Sequence, residues 1–464
     1  MDTDKRFFLI AGEPSGDVLG GTLIHALKEK GVPIANIKGV GGEKMIHEGL
    51  KSMVPMDELC VMGLWEVINQ IGRLSRLIDY LVEKIEKLQP DVVVTIDLPD
   101  FNFRLSDRLK KRGRYRGALV HYVAPSVWAW RPDRAKKIAG FLDGLMCLLP
   151  FEPEYFTQHG LRTEFVGHPL VENDKSKYTR HTFCDKYGID TDKTIVGVFF
   201  GSRESEIKAM GKILRESIDF LYEQEKDIVV LVPTLSALEL EVTNLLNGLE
   251  CPVYMSLKED EKWEAFAACD VAMAVSGTVG LELAYMEVPH VITYKAHPLT
   301  WLIVKFLVKV KYAHLANIIL DKPLVPELLQ GQSKAYNIVK EALRLIRYEE
   351  KRAEQIEGFQ QIGALLRPES GLLPSHKAAD FVLEMAQKSK RRRRPTPNQP
   401  APKATPAQES TPPIVKSSPQ TPPQETPGEQ AKTPEPSAKP MNDFERLYKL
   451  ATDILSPLLQ KLRR

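Results

Sequence analysis

Short apolar runs alternate along this chain with segments of helical periodicity, and the alternation occurs twice. The first series has runs at 7–11, 92–96, 119–123, 145–149 and 164–166, with helical patterns such as 19–30 and 74–88 between them. The second has runs at 194–200, 227–232, 252–256, 271–275 and 290–294. Strands so uniformly apolar have no face left for water, so they belong in parallel sheets covered by helices on both sides. A polar stretch, 172–192, separates the two series and reads as a linker. The expected fold class is α/β: two Rossmann-like domains, 1–171 and 172–388, facing one another across a cleft, with the final helices of the second able to return to the first. A chain of 464 residues is long enough for two such cores and a tail.

The formal net charge of +2 provides no extended field for nucleic acid, so no nucleic-acid partner is expected. Five cysteines, Cys60, Cys147, Cys184, Cys251 and Cys269, are scattered without a CxxC pair. That pattern argues against a zinc site or a disulfide framework and fits a reducing cytoplasm. The first apolar run stops at Gly12, which reads as a first strand and not as a signal peptide. Beyond Lys388 the composition changes. A basic cluster, Lys390 to Arg394, opens a tract rich in Pro, Thr, Gln and Ser that cannot bury a core, so 389–440 is expected to be a disordered linker. Residues 441–464 regain helical periodicity, with Phe444, Leu447, Leu450, Ile454 and Leu458 on one side; this amphipathic helix suits a membrane surface or a protein partner.

Two turns carry the signal for a nucleotide diphosphate. SGTVGLELA, 276–284, follows the apolar run 271–275, and GSRESEI, 201–207, follows 194–200. A strand that ends in small residues and opens a helix offers backbone N–H groups to an anion, here from Ser202, Ser276, Gly277 and Thr278. Arg203 would add positive charge, and Glu282, a helical turn further in, would reach a ribose. Each feature also has an ordinary reading: a capped turn for the serines, a surface ion pair with Glu204 or Glu206 for Arg203, and solvation for Glu282.

In the first half, AGEPSGD at 11–17 is a small-residue loop after the first strand, where Glu13, Ser15 and Asp17 would line an acceptor pocket or serve a turn and a helix cap. TIDLPDFN at 95–102 puts two carboxylates at the carboxyl end of a strand. A transferase moving a sugar onto a hydroxyl needs a base there; Asp100, expected on a loop beyond Pro99, is the first choice and Asp97 the second. The aromatic loop 122–138 brings Ser126, Trp128 and Trp130, the tryptophans placed either beneath a ligand or in the core. FVGHP at 165–169 sets His168 near the domain junction. Asp190 and Asp192 have D-x-D spacing but lie in the polar linker, so they read as a turn and no metal site is expected. Segments 61–85 and 301–320 mix large apolar residues, among them Trp65, Trp301 and Tyr312, with cations. They fit buried helices or a lipid-facing groove.

Together AGEPSGD, DLPDFN, APSVWAWRPDR, FVGHPL, GSRESEI, SGTVGLELA and LANIIL with LVPELLQ resemble the lipid-A-disaccharide synthase family, from the first strand to about residue 330 and more loosely to Lys388. The resemblance implies a GT-B glycosyltransferase that joins UDP-2,3-diacylglucosamine to 2,3-diacylglucosamine 1-phosphate through a β-1,6 linkage, with no cofactor, as a peripheral inner-membrane step of lipid A synthesis. By the same resemblance Asp100 matches the base, Arg203, Glu282 and Asn317 match UDP-handling positions, and Ser276 to Thr278 match the phosphate turn. Two alternatives use the same nucleotide turns: a UDP-N-acetylglucosamine 2-epimerase-like enzyme, and a non-catalytic UDP-sugar-binding protein at a membrane surface. The tail beyond Lys388 has no counterpart in the family pattern.

Overall fold

The structure is a computed structural model that describes residues 5–59, 64–130, 132–257, 261–296, 301 and 310–393. The first unit contains β1 (Phe7–Ala11), α1 (Pro14–Glu29), β2 (Ile37–Val40), α2 (Glu43–His47), α3 (Leu64–Leu88), β3 (Val92–Ile96), α4 (Pro99–Arg112), β4 (Ala118–Tyr122), α5 (Val127–Trp130), α6 (Asp133–Ala139), β5 (Gly144–Cys147), α7 (Glu154–Thr157) and β6 (Arg162–Phe165). Its parallel sheet runs β2-β1-β3-β4-β5-β6. The second contains α8 (Arg180–Tyr187), β7 (Thr194–Phe199), α9 (Glu204–Gln224), β8 (Ile228–Pro233), α10 (Glu239–Leu246), β9 (Val253–Ser256), α11 (Lys262–Ala268), β10 (Val271–Val275), α12 (Thr278–Tyr285), β11 (His290–Tyr294), α13 (Leu315–Leu320), β12 (Glu327–Leu329), α14 (Ala335–Arg347), α15 (Glu349–Leu365) and α16 (Pro374–Arg393). Its parallel sheet runs β12-β11-β10-β7-β8-β9.

Apolar side chains on both faces of each sheet explain this layering. Phe7, Leu9 and Val94 enter one core of the first unit, and Phe8, Ile10 and Val93 the other. Strand order sets the function. Each sheet reverses direction once, between β1 and β3 in the first and between β7 and β10 in the second. Ligands of open α/β sheets bind at such reversals, beyond the carboxyl ends of the strands. The loops after β1 and β3 meet at the first crevice, and those after β7 and β10 at the second.

Three features depart from the sequence reading. Strands β2 and β12 have no counterpart in it. The stretch 172–192 is not a bare linker: it folds as short 3-10 turns, Pro169–Glu172 and Lys175–Lys177, followed by α8, which buries Phe183 and Cys184. Arg180 fixes α8 through Asp270 at 2.5 Å and the Lys193 carbonyl at 2.6 Å. Lastly, α16 stays helical to Arg393, past Ser389, where the linker was expected to begin. Lys and Arg are good helix formers and suit a helix C-terminus, so the basic run extends the helix. The rest of the expected linker and the helix expected over 441–464 lie outside the described residues.

The chain crosses between units twice, and the crossings are tied together. His168 N–H donates to the Leu366 carbonyl at 2.9 Å, and Ser375 N–H donates to Glu172 at 2.5 Å. Gly167, at φ 92°, lets the first crossing pass against Pro368 and Pro374, whose ring atoms a Cβ would meet at 2.7 and 3.0 Å. The second crossing delivers α16 to the first core, where Phe381, Val382 and Met385 pack with Leu9, Val94 and Tyr122. Ion pairs Lys30–Asp380 at 2.7 Å and Lys377–Glu164 at 2.6 Å flank that contact. Each such buried side chain contributes about 1.5–3 kcal/mol, so α16 clamps the two units together.

Candidate active site

At the first reversal the chain makes two successive left-handed residues, Asp97 at φ 52° and Leu98 at φ 43°. Neither is glycine, so each costs on the order of 1–3 kcal/mol and must be held by its surroundings. Asn102, fully buried in α4, does the holding: its amide donates to the carbonyls of Asp97 at 2.7 Å and Ile96 at 3.3 Å. Asp97 N–H donates to the Tyr122 carbonyl at 2.9 Å. The carboxylate is then aimed across the crevice at α1, where the Ser15 hydroxyl donates to it at 2.7 Å. Gly16 permits this approach, because a Cβ there would sit 3.2 Å from the Ile96 carbonyl and 3.5 Å from the Asp97 Cβ. Val123, at the end of β4, is also left-handed at φ 85°, which is a true outlier for a β-branched residue.

Asp100 behaves differently. It is not on a loop but in the first turn of α4, because Pro99 at the first helical position starts the helix early. Its side chain is 82% exposed and pairs with Arg134 at 3.3 Å. Asp17 is not in the crevice either: its carboxylate accepts from the N–H groups of Gly42, Lys44 and Met45 at 2.7, 2.8 and 3.1 Å, capping α2. Glu13 precedes α1 and is buried. Trp128 belongs to the core, its indole donating to Glu152 at 3.2 Å and its ring meeting Phe151 edge-on. Ser126 lies in the loop after β4, its carbonyl accepting from Ala129 N–H at 3.1 Å. His168 does sit at the junction of the units, where its Nδ1 accepts from Leu170 N–H at 3.2 Å. Desolvation pushes its pKa down to about 4, so the ring is neutral at pH 7 and acts as a turn cap.

Both predicted phosphate turns flank the second reversal. Ser276 N–H is taken by the Thr293 carbonyl at 3.0 Å, and Gly277 and Thr278 then lead into α12. Gly277, at φ 172°, is ordinary extended backbone, so its small size matters here and its conformational freedom does not. On the other side, Ser202 N–H is already bonded to Glu206 at 2.8 Å, so it is not a ready anion donor. Glu206 is buried, and burial raises its pKa even though Ser202 and Arg203 favour its charged form. Arg203 lies 3.9 Å from Glu206. Burial pulls the guanidinium below its usual value, while the charges of Glu206, Tyr294 and Glu13 oppose that shift. Glu13 belongs to the first unit, so Arg203 of the second lies within electrostatic reach of the first.

Glu282 sits in α12 and pairs with Lys262 at 2.6 Å. Sequence reasoning missed Lys262, which lies in the first turn of α11 with its ammonium over the Trp263 and Phe266 rings. Asn317 is buried and fully engaged. It donates to the Val325 carbonyl and to Glu327, and accepts from Val325 N–H, each at 2.8 Å. These bonds tie the 317–327 loop together. Asp190 accepts from Asp192 N–H at 3.0 Å, the geometry of an Asx turn. Trp65, Arg131 and most of 297–309 lie outside the described side chains.

This pair of opposed Rossmann-like units is the GT-B architecture, and solved structures share it. The UDP-GlcNAc 2-epimerase from Neisseria meningitidis bound to UDP-GlcNAc superposes with a TM-score of 0.54 at 12% identity, covering 83% of this chain and 100% of that one. The glycotransferase of kitacinnamycin gives a TM-score of 0.56 at 10% identity, over 82% of this chain and 99% of that one. At such identities the likeness is one of fold alone. Sequence goes further. The family model described as lipid-A-disaccharide synthetase matches residues 7–381. The lipid-A-disaccharide synthase of Rhodospirillum centenum is 42% identical over 82% of this chain and 94% of its own length. That of Paramagnetospirillum magneticum is 40% identical over 83% and 99%. The chain belongs to the lipid-A-disaccharide synthase family.

Proposed function

We propose that this chain joins UDP-2,3-diacylglucosamine to 2,3-diacylglucosamine 1-phosphate, releasing UDP and forming the β-1,6-linked disaccharide 1-phosphate. Family membership supports the reaction. What supports the mechanism is a buried, oriented carboxylate, Asp97, at the strand-order reversal of the first sheet, together with the Arg203 and Ser276–Thr278 turns at that of the second. Asp97 takes the proton from the acceptor 6-hydroxyl. The oxygen attacks C1 from the face opposite the diphosphate, and the C1–O bond breaks with its electron pair leaving on UDP. One in-line displacement inverts the anomeric centre without a covalent intermediate. Arg203 and the N-terminus of α12 meet the charge that grows on the leaving group. Glu282, steadied by Lys262, takes the ribose hydroxyls.

Asp97 replaces Asp100 as the base because a base must be held in the crevice, and Asp100 is solvated and paired with Arg134. Both proposed substrates are acylated, which supports a reaction at a membrane surface, and we infer that this is the cytoplasmic face of the inner membrane. No described helix is long and apolar enough to cross a bilayer. The amphipathic segment 441–464 would add a lipid or protein contact. Measuring UDP release with and without the acylated acceptor tests the reading: release should require both sugars, and release or epimerisation of the donor alone would overturn it.

A further inference from the structure

Behind the α12 turn lies a histidine pair that the proposed chemistry does not use. His290, at the start of β11, and His314, just before α13, are both buried, with their Nε2 atoms 2.9 Å apart. Their partners fix every proton. His290 Nδ1 faces the Val288 carbonyl at 2.7 Å and must donate to it, so its Nε2 is an acceptor. His314 Nδ1 accepts from Ala316 N–H at 3.0 Å, so its Nε2 carries the hydrogen and donates to His290. The result is a one-way chain of neutral rings, complete at both ends.

The surroundings tie this chain to the donor turn. Gly280, in the first turn of α12, faces His314 so closely that a Cβ there would lie 2.5 Å from its Nε2. The backbone N–H groups of Ala313 and His314 both donate to Glu327 at 2.9 Å, and Glu327 also receives the Asn317 amide. From the opposite side, Gln355 of α15 brackets His290, accepting from its N–H at 2.8 Å and donating to its carbonyl at 3.2 Å, while Phe359 stacks on the ring. Glu327 is the charged group these bonds bring to the pair, and it contacts the His314 backbone.

We propose that His290 and His314 are positioning residues for the donor diphosphate: the bond between them fixes the 313–327 segment on β11 and holds the His314 ring against Gly280 of α12, and so sets the aim of the Gly277–Thr278 N–H groups. A hydrogen bond between two rigid rings sets a distance more sharply than apolar packing does. Glu327 and Asn317 hold the same segment through the Ala313 and His314 N–H groups and the Asn317 amide, so they would bear on the turn by the same route. The proposal rests on the reading of that turn as the diphosphate site.

The test is UDP binding by calorimetry together with steady-state kinetics on the full chain. His314→Asn keeps a cap for Ala316 N–H but loses the bond to His290. It should raise the UDP Kd and the donor KM about tenfold and leave the acceptor KM unchanged. His290→Gln, whose amide oxygen can replace Nε2, should stay within about threefold of wild type. An unchanged UDP Kd in folded His314→Asn, or an equal rise in both KM values, overturns the proposal. A measurement on wild type covers the case in which the variant does not fold: with ¹⁵N-labelled histidine, saturating UDP should shift the ring signals of His290 and His314 and leave exposed His181 unmoved. Unmoved signals from the pair overturn the proposal. Wild type that binds UDP but makes no disaccharide overturns the functional reading and leaves this one standing.

Discussion

Acid should destabilise this protein through its buried neutral imidazoles, and the His290–His314 pair makes the effect measurable. Burial lowers the His290 pKa from 6.5 to about 4, and burial together with its neighbour lowers that of His314. Between those values the unfolded ring binds a proton that the folded ring refuses, so the unfolded state holds more protons and stability rises with pH. The contribution is complete above pH 6.5 and is lost as the pH falls toward 4. For His290 alone the full loss is about 3 kcal/mol, of which about 2 kcal/mol is already gone at pH 5. That is a sizeable share of a typical folding free energy. Urea unfolding followed by circular dichroism at pH 7 and pH 5 would measure it, comparing wild type with the double variant His290→Gln, His314→Asn. Wild type should lose at least about 2 kcal/mol more than the variant over that interval. His168 is present in both proteins, so its similar acid sensitivity cancels. Equal losses in the two proteins would refute the argument.

Asp97→Asn should lower disaccharide formation by about a hundredfold to ten-thousandfold with UDP affinity kept, whereas Asp100→Asn should stay within about threefold of wild type; the reverse order in a turnover assay would return the base to Asp100. Lys262→Met and Glu282→Ala should both weaken UDP binding by calorimetry, since each leaves the other's charge half-buried and unpaired. Asp17→Ala should cost about 1–3 kcal/mol in urea unfolding by stranding three N–H groups of α2, with turnover per folded molecule unchanged. Removing 389–464, with the basic run Lys390 to Arg394, should leave catalytic constants on detergent-dispersed substrate unchanged and weaken co-sedimentation with anionic vesicles at low salt; equal sedimentation would point to a protein partner for residues 441–464.

The architecture was legible because parallel strands buried on both faces announce themselves as apolar runs. Ten of the strands coincide with such runs, some to the residue, as at 7–11, 92–96 and 271–275. The two that escaped are half-hidden: β2 is interrupted by Lys38 and Gly39, and β12 is three residues long. The nucleotide turns were legible for a related reason, since a small-residue turn must follow a strand directly. What stayed hidden depends on partners far away in sequence. Asp17 looks like a crevice residue until α2 is folded against α1, 25 residues on. Asn317 looks like a ligand contact until Val325 and Glu327 occupy its amide. Neither histidine of the pair carries a local signal, because each is defined by the other across 24 residues.

The choice between Asp97 and Asp100 shows where spacing alone stops. D-L-P-D sets two carboxylates three residues apart at the end of a strand, and nothing in that string ranks them. Proline separates their fates. As the first residue of α4 it commits Asp100 to an outward-facing helical turn, where a carboxylate complements the helix N-terminus and meets solvent. The strand must then end before it, and the chain turns from strand to helix within Asp97 and Leu98, which is why both take left-handed angles. That sharp turn leaves Asp97 at the bottom of the reversal between β1 and β3, with Gly16 allowing α1 to bring Ser15 against it. The strain at Asp97 and the exposure of Asp100 thus have one cause, the early helix start at Pro99. A substitution there, Pro99→Ala, should relax the turn and lower turnover while leaving UDP binding intact, and unchanged turnover would separate the strain from the chemistry.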